Sequence, residues 1–339
     1  MALHTGQCQL LAHPILSMSR GATLIFVKQF SAQVWRVYWQ LLRLMVPTLV
    51  VVHLLDQLGA TVWLGRALGP VMALVGLPDA AGVVWAAVLL TNLYTGLVIY
   101  FALVPGLGLT VAQATVLGVL MLVAHSLPVE AGIARAAGVP WRVTLVLRAG
   151  GALLLGAVLN QAYRLGGWLQ QPVQLAWAPP AQAASLAGWL GEQLMTLAWI
   201  LVVLVALMGL LRLLRALGIE RLMHALLAPV LRVIGLGREA AGLTIVGVTL
   251  GITFGAGLLL QEVRSGRLTR REVWLALGFL GLAHSLIEDT LLVMLMGADL
   301  SGILWARLGF AIGTIALLAR LPVWQGEAVA SPEAGGGPP

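Results

Sequence analysis

The apolar and polar positions along the chain fall into two matching series of segments. In the first, an apolar stretch at 41–58 precedes a shorter, less apolar one at 62–77 and a glycine-punctuated one at 82–104, then stretches at 110–127 and 143–159. The second series runs 194–211, 221–236, 242–261, 271–286 and 303–318. A spanning helix needs about 20 apolar residues, slightly fewer where the bilayer thins. Long apolar runs with internal glycines predict helices; an outer-membrane barrel would show weak alternating segments of about ten residues. The predicted fold class is all-α, a polytopic helical membrane protein.

Composition agrees. Of 339 residues 60% are hydrophobic and only 10% charged, with a mean hydropathy of +0.96. Soluble domains carry about 45–50% apolar and about 25% charged residues, so lipid must solvate most of this chain. The net charge of +7 reads as basic loops held in the cytoplasm, and nucleic acid is not an expected partner. A single cysteine, Cys8, excludes an intramolecular disulfide and a thiolate metal site. His4, His13, Pro14 and Arg20 interrupt the first 21 residues, so no cleaved signal peptide is expected there. Residues 325–339 end in Gly-Gly-Gly-Pro-Pro and have the composition of a disordered tail.

The two series are copies. At an offset of 159, His125-Ser126-Leu127 meets His284-Ser285-Leu286 without a gap, and the register extends in both directions. Pro70 meets Pro229, Gly76 meets Gly235, Gly96 meets Gly255, Thr110 meets Thr269, Gly138 meets Gly297 and Arg148 meets Arg307. Leucine coincidences are cheap in such a composition, whereas colinear Pro, Gly, His and Arg coincidences mark a duplication.

Charge then orients the copies. The joint at 263–272 holds Arg264, Arg267, Arg270 and Arg271, while its counterpart at 104–113 holds no charge. Arg212, Arg215, Arg221, Arg232 and Arg238 surround the second short helix, against only Arg66 and Asp79 around the first. Corresponding loops therefore face opposite sides, which is an inverted-topology repeat. If the third segment of each half is a re-entrant hairpin and the short helix lies in the interface, all nine of these arginines fall on one side. This predicts about six spans plus two re-entrant hairpins, with tips at 91–96 and 251–257. An alternative keeps the inversion by making both short helices true spans. The expected organisation is an interfacial segment at 1–40, a first repeat at 41–160, a periplasmic connector at 161–193, an inverted second repeat at 194–320 and a cytoplasmic tail at 321–339.

Each fourth helix ends in a polar cluster: His125, Ser126, Pro128 and Glu130 in one copy, His284, Ser285, Glu288, Asp289 and Thr290 in the other. An ionisable group at the centre of a membrane helix costs about 2.5–3.5 kcal/mol, so such clusters need a reason. On an unbroken helix His284 and Glu288, four apart, share a face and can jointly hold a proton or cation. Pro128 would free backbone carbonyls, as at a discontinuous helix. Arg148 and Arg307 follow each histidine by 23 residues and can pair with the acids or receive an anionic group. Asn92, Tyr94, Thr95 and Thr253 occupy the hairpin tips. Competing readings place the clusters at the membrane surface as helix caps, the arginines as snorkelling side chains, and the tip residues as helix-packing polar groups.

Zinc-protease, nucleophile-elbow and phosphate-loop motifs are absent, so neither an enzyme nor a cofactor is expected. The sequence Gly266-Arg267-Leu268-Thr269-Arg270-Arg271-Glu272, followed by Ala283-His284-Ser285-Leu286-Ile287-Glu288-Asp289-Thr290 and by Gly297 through Arg307, resembles the nucleoside-recognition (Gate) domain family of spore-maturation-type membrane proteins. The resemblance is strongest over 240–320 and reaches the first half through the duplication. It implies a distant relation to concentrative nucleoside transporters and to the gate region of ferrous-iron transporters. It also implies interfacial helices, re-entrant hairpins and broken helices around a solute site. The first half departs from the motif, with Pro128-Val129-Glu130 opposite Ile287-Glu288-Asp289. The reading that follows is a secondary transporter of a small polar, nucleoside-like solute in a bacterial-type inner membrane, with both termini cytoplasmic and protonation of His284 with Glu288 or Asp289 as a coupling device. A divalent-cation transporter and a non-transporting scaffold subunit are the alternatives. Expected partners are membrane lipid and a small polar solute or ion, with a second copy or another membrane protein as further candidates.

Overall fold

The structure is a computed structural model that describes residues 20–103, 108–175, 185–250, 261–262 and 268–321. Its regular elements are all helical. They are α1 (Arg20–Gln57), α2 (Ala60–Leu74), α3 (Ala81–Leu90), α4 (Leu93–Leu103), α5 (Val111–Val123), α6 (Leu127–Ala136) and α7 (Trp141–Leu145). A π-helical segment, Val146–Gly150, joins α7 to α8 (Gly151–Gly166). The second half contributes α9 (Leu186–Ala216), α10 (Ile219–Val233), α11 (Arg238–Leu250), α12 (Arg270–Ala283), α13 (Glu288–Met294), a π-helical segment Ser301–Ala306, and α14 (Arg307–Leu318).

The duplication is written into these bounds. Shifting the C-terminus of α1 by 159 gives that of α9, and shifting both ends of α2 gives both ends of α10. The starts of α5 and α12 coincide in the same way, and each has the same capping box. Thr110 accepts from the amide of Gln113, whose side chain accepts from the Thr110 amide; Thr269 and Glu272 repeat the exchange. Such reciprocal capping satisfies two otherwise orphaned donors at a helix start. Turn glycines Gly59 and Gly218, Gly76 and Gly235, and Gly138 and Gly297 recur with positive φ, a conformation that a Cβ disfavours.

Among the described residues, six stretches are long and apolar enough to cross a membrane: Val27–Gln57, Val111–Ala136, Trp141–Gly166, Leu186–Ala216, Arg270–Met294 and Ser301–Leu318. The protein is a multi-pass membrane protein with three such spans per half. An odd number per repeat makes the second copy enter from the opposite face. Helices α3 and α4 fold back on each other about Thr91 and Asn92, so closely that a Cβ on Gly96 would collide with the Val88 side chain. This is the first expected hairpin, and its return adds no crossing. The second expected tip, at 251–257 and including Thr253, lies outside the described residues.

The chain divides into two compact units, each drawing on both halves. Among the described residues, one takes 20–48 together with 185–222. Within it the Tyr38 hydroxyl donates to the carbonyl of Leu197 at 3.0 Å, a pair separated by the repeat offset. The other takes the described residues within 49–175 and 223–321. Its centre is the pair of broken spans α5–α6 and α12–α13, whose most apolar stretches are 61% buried, against 28% for the spans through α8 and α14. Those outer helices present Leu154, Val158, Trp305 and Leu317 outward, as lipid contact requires.

Packing between copies inside this unit is reciprocal. Helix α5 lies against the second π segment and α12 against the first. At Gly118 on α5 a Cβ would lie 2.6 Å from Val293 and 3.2 Å from Ile303, both fully buried. Gly118→Val should therefore destabilise the folded protein by about 1–3 kcal/mol, the usual cost of overfilling a packed core. Its melting temperature in detergent would fall, and an unchanged value would show this crossing to be loosely packed.

Candidate functional site

The site forms where both fourth helices stop short. Helix α5 ends at Val123 and α6 begins at Leu127; α12 ends at Ala283 and α13 begins at Glu288. The breaks are made by serine: Ser126 and Ser285 adopt left-handed φ values of 48° and 46°, an uncommon conformation for a residue with a Cβ. Pro128 sits in the first turn of α6, where its missing N–H costs nothing, and is not itself the break. On the second side the break corrects the expectation that His284 and Glu288 share a helical face. Four-residue spacing aligns side chains only on a continuous helix, and the left-handed Ser285 interrupts it. Glu288 instead accepts a 3.4 Å hydrogen bond from the Tyr94 hydroxyl on α4.

Each break is held by a segment packed beside it. The Ser126 amide donates to the Val88 carbonyl at 3.0 Å and its hydroxyl to the Thr91 carbonyl at 2.5 Å. On the other side the Leu286 amide donates to the carbonyl of Val248 on α11 at 2.8 Å.

The carbonyls freed at the two helix ends are taken by the arginines. Arg148 Nε donates to Val123 O at 2.9 Å, and Arg307 Nε donates to Leu282 O at the same distance. Arg307 also donates to the His284 carbonyl at 2.8 Å. Positive charge at a helix C-terminus is favourable because the last carbonyls carry the negative end of the helix dipole. Both side chains are almost wholly buried, which excludes snorkelling. Each lies in or next to a π-helical segment. Such segments insert one residue and turn the preceding face of the helix, and they occur often at functional sites.

The histidines meet across the repeat. His125 Nε2 lies 3.0 Å from His284 Nε2. Glu130 Oε1 lies 3.3 Å from His125 Nε2 and 3.5 Å from His284 Nε2, while its other oxygen accepts from Arg148. Asp289, the repeat equivalent of Glu130, places Oδ2 3.9 Å from His125 Nε2. The two histidines and Glu130 are buried, at 6%, 2% and 4% exposed. They are not surface caps. An Arg148 nitrogen, Asp289 Oδ2, Thr290 Oγ1 and an Arg307 nitrogen are buried here without a hydrogen-bond partner. A cavity of about 70 Å³, otherwise mostly apolar, has Glu130 and Arg148 on its wall.

Of the sequence candidates, the structure brings His125, Glu130, Arg148, His284, Asp289 and Arg307 into one cluster, with Ser285 buried at its edge and Glu288 linked to Tyr94. Asn92 and Thr95 do something else. The Asn92 side-chain oxygen accepts from the Thr95 amide at 2.9 Å and hydroxyl at 3.3 Å, which caps α4 and stabilises the hairpin tip. Missed in the sequence were the direct His–His contact and the carbonyls under the arginines. A signal for the first existed, because side chains on the axis between two copies meet their own equivalents.

No family model matches the chain and no solved structure matches it. The chain is similar to an uncharacterized membrane protein of Bacillus subtilis (strain 168), YvoD, at 28% identity over 299 residues, which covers 86% of this chain and 93% of that protein.

Proposed function

We propose that the protein is a secondary transporter that moves a small polar solute by alternating access, with its binding centre at the two broken spans. One observation carries the reading: two buried histidines, one from each inverted copy, meet with acids of both copies at paired helix breaks. Ionisable groups inside a membrane protein are expensive and mark solute or proton pathways, and discontinuous helices at a repeat interface are where inverted-repeat transporters bind their cargo. The resemblance stated above favours a nucleoside-like solute, with a divalent cation as the other cargo class. The charge pattern favours a bacterial-type inner membrane with both termini cytoplasmic, a connector at 161–193 on the opposite side, and repeats at 41–160 and 194–320. Protonation of His284 with Asp289, whose donor atoms lie within 4.8 Å of one another, is the proposed coupling device.

Proteoliposomes carrying the full chain, offered labelled nucleosides and nucleobases, should show saturable uptake above protein-free vesicles. His284→Ala should reduce it at least about tenfold, the loss expected when a side chain contacting cargo is removed. Absence of flux across the panel and across divalent metals, with stable co-purification of another membrane protein, would overturn transport in favour of the scaffold role.

A further inference from the structure

The geometry points to a binding site for a first-row divalent transition-metal ion between the two copies, with His125 Nε2, His284 Nε2, Glu130 Oε1 and Asp289 as its donors. The inference uses the location of the site proposed above, but it concerns binding and stands apart from movement.

Hydrogen bonding fixes both tautomers. His125 Nδ1 lies 3.0 Å from the Met121 carbonyl and His284 Nδ1 lies 2.7 Å from the Leu280 carbonyl. A carbonyl only accepts, so both Nδ1 atoms carry protons, and in the neutral rings both Nε2 atoms carry lone pairs. These two lone-pair nitrogens and the carboxylate oxygen Glu130 Oε1 form a triangle with edges of 3.0, 3.3 and 3.5 Å. With both rings neutral and Glu130 ionised, the triangle contains no hydrogen-bond donor. Three acceptors at van der Waals contact repel one another unless a cation lies among them.

The shape of the triangle selects the cation. A point in its plane lies about 1.9 Å from all three atoms, so an ion slightly out of plane reaches the 2.0–2.2 Å bonds of zinc to imidazole and carboxylate. The ring centres are 4.8 Å apart with planes inclined at 54°. A linear N–H···N bridge at this nitrogen spacing would hold the centres about 5.3 Å apart, because hydrogen bonds favour straight geometry. The lone pairs are therefore inclined to the line joining the nitrogens, which does not suit one proton shared between the rings.

The supporting shell is that of a metal site. Metal-bound histidines nearly always donate the other ring N–H to a carbonyl or carboxylate, and bound carboxylates are themselves hydrogen-bonded. Both histidines here face carbonyls, and Glu130 is held by Arg148. Asp289 Oδ2 is buried without a hydrogen-bond partner, and donor atoms of His125, His284 and Asp289 lie within 4.8 Å of one another. That supplies the fourth ligand. Mixed imidazole and carboxylate donors suit Zn²⁺, Co²⁺, Fe²⁺ or Mn²⁺ rather than Mg²⁺ or Ca²⁺.

The test is titration of the purified full-length protein in detergent with Zn²⁺ and Co²⁺, read by bound-metal analysis and by the visible spectrum of the cobalt form. One ion per chain with tetrahedral cobalt bands is expected. His284→Ala should weaken binding at least about 100-fold, beyond the 10–100-fold typical of second-shell losses. If that variant does not fold, Asp289→Asn should shift the cobalt bands while leaving the protein folded. Wild-type protein that binds no ion stoichiometrically, or binding unaffected by both substitutions, overturns the site. Metal binding without flux of metal or nucleoside, and with stable co-purification of another membrane protein, supports the site and removes the transporter reading. Nucleoside flux by protein that binds no metal does the reverse.

Discussion

Replacing Arg148 with alanine is expected to destabilise the protein by about 3–5 kcal/mol, the cost of removing one partner from a buried ion pair. Two groups would be orphaned at once. Glu130, 4% exposed, would lose the guanidinium that holds its second oxygen, and Val123 O would lose its donor at the end of α5. Arg148→Lys should recover little, because an ammonium cannot span a carboxylate and a carbonyl with the fixed fork that Arg presents. Arg148→Met combined with Glu130→Leu should be far less damaging than Arg148→Ala alone, since a matched apolar pair avoids the unpaired charge. Thermal unfolding of the detergent-solubilised variants measures all three. If the double substitution were as damaging as the single one, the helix-end carbonyl rather than the ion pair would dominate, and Arg148 would count mainly as a cap.

The repeat was legible in the sequence because glycine, proline, histidine and arginine cannot be exchanged for one another without cost at turns and buried polar sites. Their coincidence at one offset survives where leucine coincidences carry no information. The spans were legible from apolar length alone. Helix breaks were only half legible. Proline was the visible breaker, yet Pro128 merely starts α6, and the interruption lies at serines in left-handed conformation. Serine has no strong sequence signature for that conformation, so His284 and Glu288 read as one face when the chain turns between them. The π segments beside Arg148 and Arg307 left no trace either, because their extra residue is apolar like its neighbours. Burial separated the remaining alternatives. Whether an arginine near a span end snorkels or turns inward depends on helix packing, and the fully buried Arg307 was decided by its neighbours.

The difference between Glu130 and Asp289 is one methylene, and it separates the two copies chemically. At equivalent positions, Glu130 reaches Arg148, whereas Asp289 leaves Oδ2 without a hydrogen-bond partner; each arginine leaves one nitrogen without one. Glu130→Asp should therefore withdraw the carboxylate from Arg148 and cost about 3 kcal/mol, near the lower range for a broken buried pair. Asp289→Glu should extend a carboxylate towards Arg307 and offset the burial of both orphaned groups, a gain of about 1–3 kcal/mol. Combining them transfers the ion pair from the first copy to the second. The double variant should then lie closer to wild type than Glu130→Asp does, by an amount that melting curves of the four proteins resolve. A double variant no more stable than Glu130→Asp would mean that Arg307, already committed to Leu282 O and His284 O, cannot exchange roles with Arg148. The single acidic partner of the first copy would then be a fixed asymmetry of the site.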